Sequence, residues 1–137
     1  MAAFKDVDEA KKYLGGIFRQ AVTDDELASH LQGSAVVLRV HYTDPDWKLT
    51  VDMAARTVDT EPSSAQPNVE LFMSADNGNK FWLGKLNLAT AMARGQVRAK
   101  GSMPKVLKLL PVAKRLVPRY EQMLREDDRT DLISAAS

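Results

Sequence analysis

The alternation of apolar and polar positions divides the chain into a helical front, a run of strands and a helical back. Ala10, Tyr13, Leu14, Ile17, Phe18 and Ala21 recur at i, i+3, i+4 spacing, which places them on one stripe of a helix. Asp6 or Asp8 can cap its start. Gly15 and Gly16 fall inside it and cost roughly 1 kcal/mol each relative to Ala, so either another backbone comes close there or the helix is weak in its middle. Thr23-Asp24-Asp25-Glu26 reads as a capping box for a short second helix through Leu27 and Leu31, with Gly33 as a left-handed stop. From Ser34 the period changes to 2. Val36, Leu38, Val40 and Tyr42 share one side of a strand, with Arg39 and His41 on the other. After the turn Thr43-Asp44-Pro45-Asp46, the alternation of Trp47, Leu49, Val51 and Met53 predicts its hairpin partner. Arg56–Glu61 predicts a third strand with one wet face. A Pro/Ser-rich loop follows, and then a fourth strand with Val69, Leu71 and Met73 inward. Four antiparallel strands are the expectation.

The back half returns to helices. Ser74 caps a segment ending at Phe81, Trp82 and Leu83 before Gly84, and Asn87 caps another that carries Leu88 and Met92 and ends at Arg94-Gly95. Gln96–Gly101 alternates Val97 and Ala99 with Arg98 and Lys100, a fifth strand. Ser102 caps a helix with the stripe Met103, Val106, Leu107 and Leu110. Pro111 should interrupt it and Pro118 should open a separate last helix, because an internal proline removes a donor and clashes with the preceding turn. One domain over residues 1–125 and a polar, flexible tail over 126–137 are expected.

Charge changes this picture. The net charge of +1 hides a segregation: residues 1–76 hold 7 basic and 13 acidic groups, residues 77–120 hold 10 and none, and residues 121–137 hold 2 and 5. Either the acidic front folds against the basic back, or the back presents a positive face to an anionic partner. No apolar run reaches the roughly 20 residues of a membrane span, and the first residues lack the order of a signal peptide, so a cytoplasmic protein is expected. The absence of cysteine removes disulfides and thiolate chemistry.

Catalysis finds no support. His30 and His41 lack partners at a recognisable spacing, and Asp24-Asp25 and Asp44-Asp46 are explained as caps and turns. The chain contains no Gly-rich phosphate loop, nucleophile elbow or metal-ligand spacing, so no catalytic residue, metal or cofactor is assigned. Phe81 and Trp82 precede the basic run, which leaves no stacking platform for nucleic acid. Met73, Phe81, Trp82, Met92 and Met103 read first as core filling; the lesser reading is the wall of a cavity, since methionine adapts to ligands of variable shape.

Gly84-Lys85-Leu86-Asn87, then Ala91-Met92, then Gly95-Gln96-Val97-Arg98-Ala99-Lys100-Gly101-Ser102-Met103 and Leu107-Lys108-Leu109 resemble the sterol carrier protein type 2 (SCP-2) sterol-binding domain family. The layout of Ala10–Leu110 is similar to that family, but the specific part of the likeness is Gly84–Leu109. The resemblance implies an α+β fold: a five-stranded, mainly antiparallel sheet covered by helices on one face, with an apolar cavity between them. It implies a non-catalytic carrier of sterol, fatty acid, fatty acyl-CoA or phospholipid. Leu86, Leu88, Met92, Val97, Met103, Val106, Leu107 and Leu110 match the segment bordering that cavity, and Phe81 and Trp82 face the same region. From the sheet, Leu38, Val40, Leu49, Val51, Leu71 and Met73 are the inward candidates, with either Val36 or Val37. A register slip of one residue would exchange them all. Arg94, Arg98, Lys100, Lys105 and Lys108 would stay outside for a head group or an anionic membrane. Expected partners are a lipid or sterol, anionic membranes in transient contact and lipid-metabolising enzymes, with no nucleic acid. The competing reading is an accessory or protein-interaction module whose cavity is filled by its own side chains and whose basic face docks a partner.

Overall fold

The computed structural model describes residues 3–136; residues 1, 2 and 137 of the two expected ranges lie outside it. The elements run α1 (Val7–Ala10), a π-helical turn (Lys11–Gly15), α2 (Gly16–Thr23), α3 (Asp25–Gln32), β1 (Val37–Thr43), β2 (Trp47–Asp52), β3 (Thr57–Asp59), β4 (Val69–Ser74), α4 (Ala75–Trp82), α5 (Leu88–Ala93), β5 (Arg98–Gly101), α6 (Met103–Glu126) and α7 (Thr130–Ala135). The strands form one sheet in the order β3-β2-β1-β4-β5. The fold is α+β, and its sheet is mostly antiparallel.

The expectation of four antiparallel strands fails at one pairing. β1 and β4 run parallel, with Leu38 opposite Val69 and Tyr42 opposite Met73, whereas β1/β2, β2/β3 and β4/β5 are antiparallel. A parallel neighbour needs a crossover: the hairpins end in edge strand β3, which runs in the same direction as β1, and residues 60–68 carry the chain across the sheet to β4.

Period 2 delivers one buried face. Val36, Leu38, Val40, Tyr42, Leu49, Val51, Val69 and Met73 are buried beneath the helices, while Arg39, His41, Glu70, Phe72, Arg98 and Lys100 lie on the opposite face. That second face is held by polar contacts. Arg39 Nε donates to Thr50 Oγ1 at 3.2 Å, and its Nη2 donates to the carbonyls of Ser63 and Ala65 at 3.2 and 2.8 Å. This straps the Pro/Ser-rich loop across the sheet.

The first helical stripe forms, with the π-turn where the glycine pair was expected to weaken it. Side chains, not backbone, fill the space above the pair: a Cβ on Gly15 would lie 3.1 Å from Thr60 Cγ2, and one on Gly16 would lie 3.4 Å from Met123 Sδ. The capping box does not form. Asp24 is the N-cap of α3, its carboxylate accepting from the Leu27 amide at 3.1 Å, while the Thr23 hydroxyl donates to the Arg19 carbonyl at 2.7 Å. Gly33 is right-handed, and Ala35 takes the positive φ instead. Ser74, Asn87 and Ser102 cap α4, α5 and α6 through their side chains.

The largest departure is α6, one helix of 24 residues running through Pro111 and Pro118. The carbonyls that lose their donors belong to Leu107 and Lys114, which are exposed, as are both prolines, so water can replace the missing bonds. Where a flexible tail was expected from residue 126, the chain turns into α7 with Leu132 fully buried. Asn79, buried in α4, donates to the Leu132 carbonyl at 2.9 Å and accepts from the Tyr120 hydroxyl at 2.7 Å, joining α4, α6 and α7. Arg129 adds ion pairs to Glu9 and Asp131, each at 3.0 Å.

Candidate functional site: an apolar cavity under α6

Between the buried face of the sheet and the helices lies a cavity with about 80 Å³ of space for the centre of a water-sized sphere. Its walls are almost wholly carbon. β1 and β4 contribute Leu38, Val40, Tyr42, Val69, Leu71 and Met73; β2 and the residue after it contribute Val51 and Met53. The helices contribute Phe18, Ala21 and Val22 from α2, Leu31 from α3, Gly78, Phe81 and Trp82 from α4, and Leu88 from α5. The roof is α6, through Val106, Leu109, Leu110, Val112, Ala113 and Leu116. Partly exposed lining residues (Phe18, Leu71, Phe81, Leu109, Leu110, Val112, Ala113) mark where it nears solvent, and four of these seven lie on the first half of α6.

No charged side chain lines it. Tyr42 and Trp82 bring the only hydroxyl and indole N–H among the lining residues. Burial pushes the Tyr42 hydroxyl well above the ordinary tyrosine range, so it stays neutral. The ring of Tyr42 stacks on Trp47 at 4.8 Å between centroids. Gly78 lets α4 approach that ring: a Cβ there would sit 2.9 Å from Tyr42 Cε1, so any side chain would push the helix off the sheet. Phe18 meets Trp82 edge-on at 5.3 Å, and Phe81 does so at 5.1 Å, fixing the helical end of the cavity.

Ten of the sixteen residues expected at the cavity line it: Leu38, Val40, Val51, Leu71, Met73, Phe81, Trp82, Leu88, Val106 and Leu110. The other six do not. Leu49 and Val97 are buried in the core away from it, and Leu86 and Met92 pack half-buried against the core. Met103 and Leu107 point to solvent, because 24 unbroken helical residues centre the buried stripe of α6 on Val106, Leu109, Ala113 and Leu116. Leu109 and Leu116, like Phe18, Tyr42, Met53 and Val69, were missed. Tyr42, Met53 and Val69 continue alternations already recognised, and Phe18 belongs to the first helical stripe.

The basic residues split into separate groups. Arg98 and Lys100 stand on the open face of the sheet, 5.1 and 5.3 Å from the Phe72 ring centroid, with the sheet between them and the cavity. His41 stacks on the same ring at 4.3 Å and contacts Glu70 at 2.9 Å. Arg94 is exposed at the end of α5, and Lys105 and Lys108 lie in the first turns of α6. Front and back halves do meet through Arg115–Glu26 and Arg119–Asp24, at 2.6 and 2.7 Å. Among the described residues, no group of His, Asp or Glu could hold a metal ion, and no helix is long and apolar enough to cross a membrane.

A helix-roofed sheet enclosing an apolar cavity defines a class of small α+β domains. The chain belongs to the SCP-2 sterol transfer family, whose family model matches residues 14–114. No curated protein sequence matches it. Similar solved structures include sterol carrier protein domain 2 of Helicoverpa armigera (TM-score 0.66, 17% identity, covering 78% of this chain and 87% of that one) and apo sterol carrier protein 2 of Yarrowia lipolytica (0.61, 15%, 72% and 85%). The ubiquinone synthesis protein UbiJ-SCP2 is also similar (0.58, 17%, 75% and 94%). At these identities the likeness is one of fold.

Proposed function

We propose that the protein is a non-catalytic lipid carrier that takes the apolar part of a sterol, fatty acid, fatty acyl-CoA or phospholipid into the cavity under α6. The observation that carries this reading is the carbon-lined cavity in a chain of this family. Each methylene moved from water into such a site is worth about 0.8 kcal/mol, so a modest length of acyl chain suffices for useful affinity. The walls offer no cation to a charged head, which favours leaving that group at the mouth and keeps release possible.

A second reading has its own observation. The free space is small, which suits an accessory module whose cavity is filled by its own side chains and whose role is to engage a partner protein. Native mass spectrometry for co-purified lipid, with displacement of a fluorescent fatty acid, separates the two. Ala113→Phe, which fills the roof, is expected to weaken fatty-acid binding at least about tenfold while the fold is retained. Absence of both bound lipid and saturable displacement defeats the carrier reading and leaves the accessory one.

A further inference from the structure

Met103 and Leu107 are the large hydrophobic residues left exposed among those described, at 37% and 59% of their surface. A single exposed leucine is ordinary. These two stand one turn apart on α6, and Pro104 and Pro111 are exposed on the same side, so together they make a continuous apolar ridge along two and a half turns. Lys108 and Lys114 are exposed beside it, and Lys105 is half-exposed at its start. None of these three lysines makes an ion pair among the described residues, whereas Arg115 and Arg119 further along the helix are paired with Glu26 and Asp24. Residues 77–120 contain no Asp or Glu, so neither this half of α6 nor the adjoining α5 and β5 supplies a neutralising charge.

We infer that this outer face of the first half of α6 is a docking surface for an anionic lipid bilayer. Lysines flanking an apolar ridge suit such a surface, because their stems lie along hydrocarbon while the ammonium groups reach the head groups. The same turns carry Val106, Leu109 and Leu110 on their inner side, where they roof the cavity. Docking here would set the partly exposed roof of the cavity against the source of its ligand. The role in exchange rests on the carrier reading; the docking surface itself can be tested separately.

The test is flotation of the full chain with vesicles of phosphatidylcholine alone or mixed with phosphatidylserine, across a salt series. The chain is expected to bind the mixed vesicles, less so as salt rises, and to bind phosphatidylcholine alone weakly. Met103→Ser/Leu107→Ser should reduce binding about tenfold, and Lys108→Gln/Lys114→Gln about fivefold per lysine on the anionic vesicles only. Because the chain has no cysteine, Leu107→Cys labelled with a polarity-sensitive dye gives a direct readout, a blue shift on anionic vesicles. Failure of the wild-type chain to bind anionic vesicles overturns the inference, as does unchanged binding by the double serine variant; a face that docks a protein would give the first result. Fluorescent fatty-acid binding without vesicles should be unaltered in Met103→Ser/Leu107→Ser, whose side chains point away from the cavity. Loss of that binding in the wild type, with vesicle docking intact, would defeat the carrier reading and leave the docking surface standing.

Discussion

The two halves of α6 are one helix doing two jobs. Its second half is fastened: Leu116, Tyr120 and Leu124 are fully buried or nearly so, Tyr120 is bonded to Asn79, and Arg115 and Arg119 reach acidic residues of α3 and its cap. Its first half buries only Val106, exposes Leu107 and leaves three lysines without ion pairs among the described residues. The difference teaches that a roof over a cavity need not be uniformly stable. Fewer packed partners there mean a lower cost of local opening, while the far half holds the helix in register.

The comparison predicts an order of effects. Leu124→Ala should lower unfolding stability in urea by about 2–5 kcal/mol, because a fully buried leucine leaves a cavity when truncated. Tyr120→Phe leaves the buried Asn79 carbonyl oxygen without its donor and should cost about 1–3 kcal/mol in the same measurement. Acid should loosen the fastened regions first. The Leu27 amide, then Arg119, holds the Asp24 carboxyl below the usual carboxylate range, and Arg129 does so for Glu9 and Asp131. Groups depressed in the fold stabilise it above the ordinary carboxylate pKa, about 4, and that stability is lost as pH falls through their lower folded values. The midpoint of thermal unfolding is therefore expected to fall below about pH 4 and to be flat from there to neutrality as far as these carboxylates are concerned. Arg115→Ala should cost less than about 1 kcal/mol, since its pair with Glu26 is solvent-exposed. Leu107→Ser should change stability by no more than about 0.5 kcal/mol; a larger loss would show that the first half is packed as firmly as the second.

Much of this is legible in the amino-acid sequence. Strand alternation placed Leu38, Val40, Val51, Leu71 and Met73 on the side that faces the cavity, because a period of 2 leaves only two choices and burial selects one. Three side-chain caps, Ser74, Asn87 and Ser102, were readable for the same local reason. What failed depended on tertiary context. Pro111 and Pro118 signal helix breaks in isolation, yet their exposed position, seven residues apart on one face, lets the helix continue. That continuity rotates Met103 and Leu107 out of the cavity and Leu109 and Leu116 into it. The direction of β4 relative to β1 is not written in its alternation, which reads the same either way. Leu132 was lost in a polar context, where one buried leucine has no period to announce it.

The Asn79 junction has a kinetic side. Tyr120 and Leu132 lie 41 and 53 residues beyond the asparagine, so the contact closes only after residue 132 has been made. During synthesis the sheet, α4 and the first half of α6 can emerge and collapse while the residue that locks them is still to come. Until position 132 arrives, the cavity has walls and a roof, and nothing fastening the roof's far end to α7.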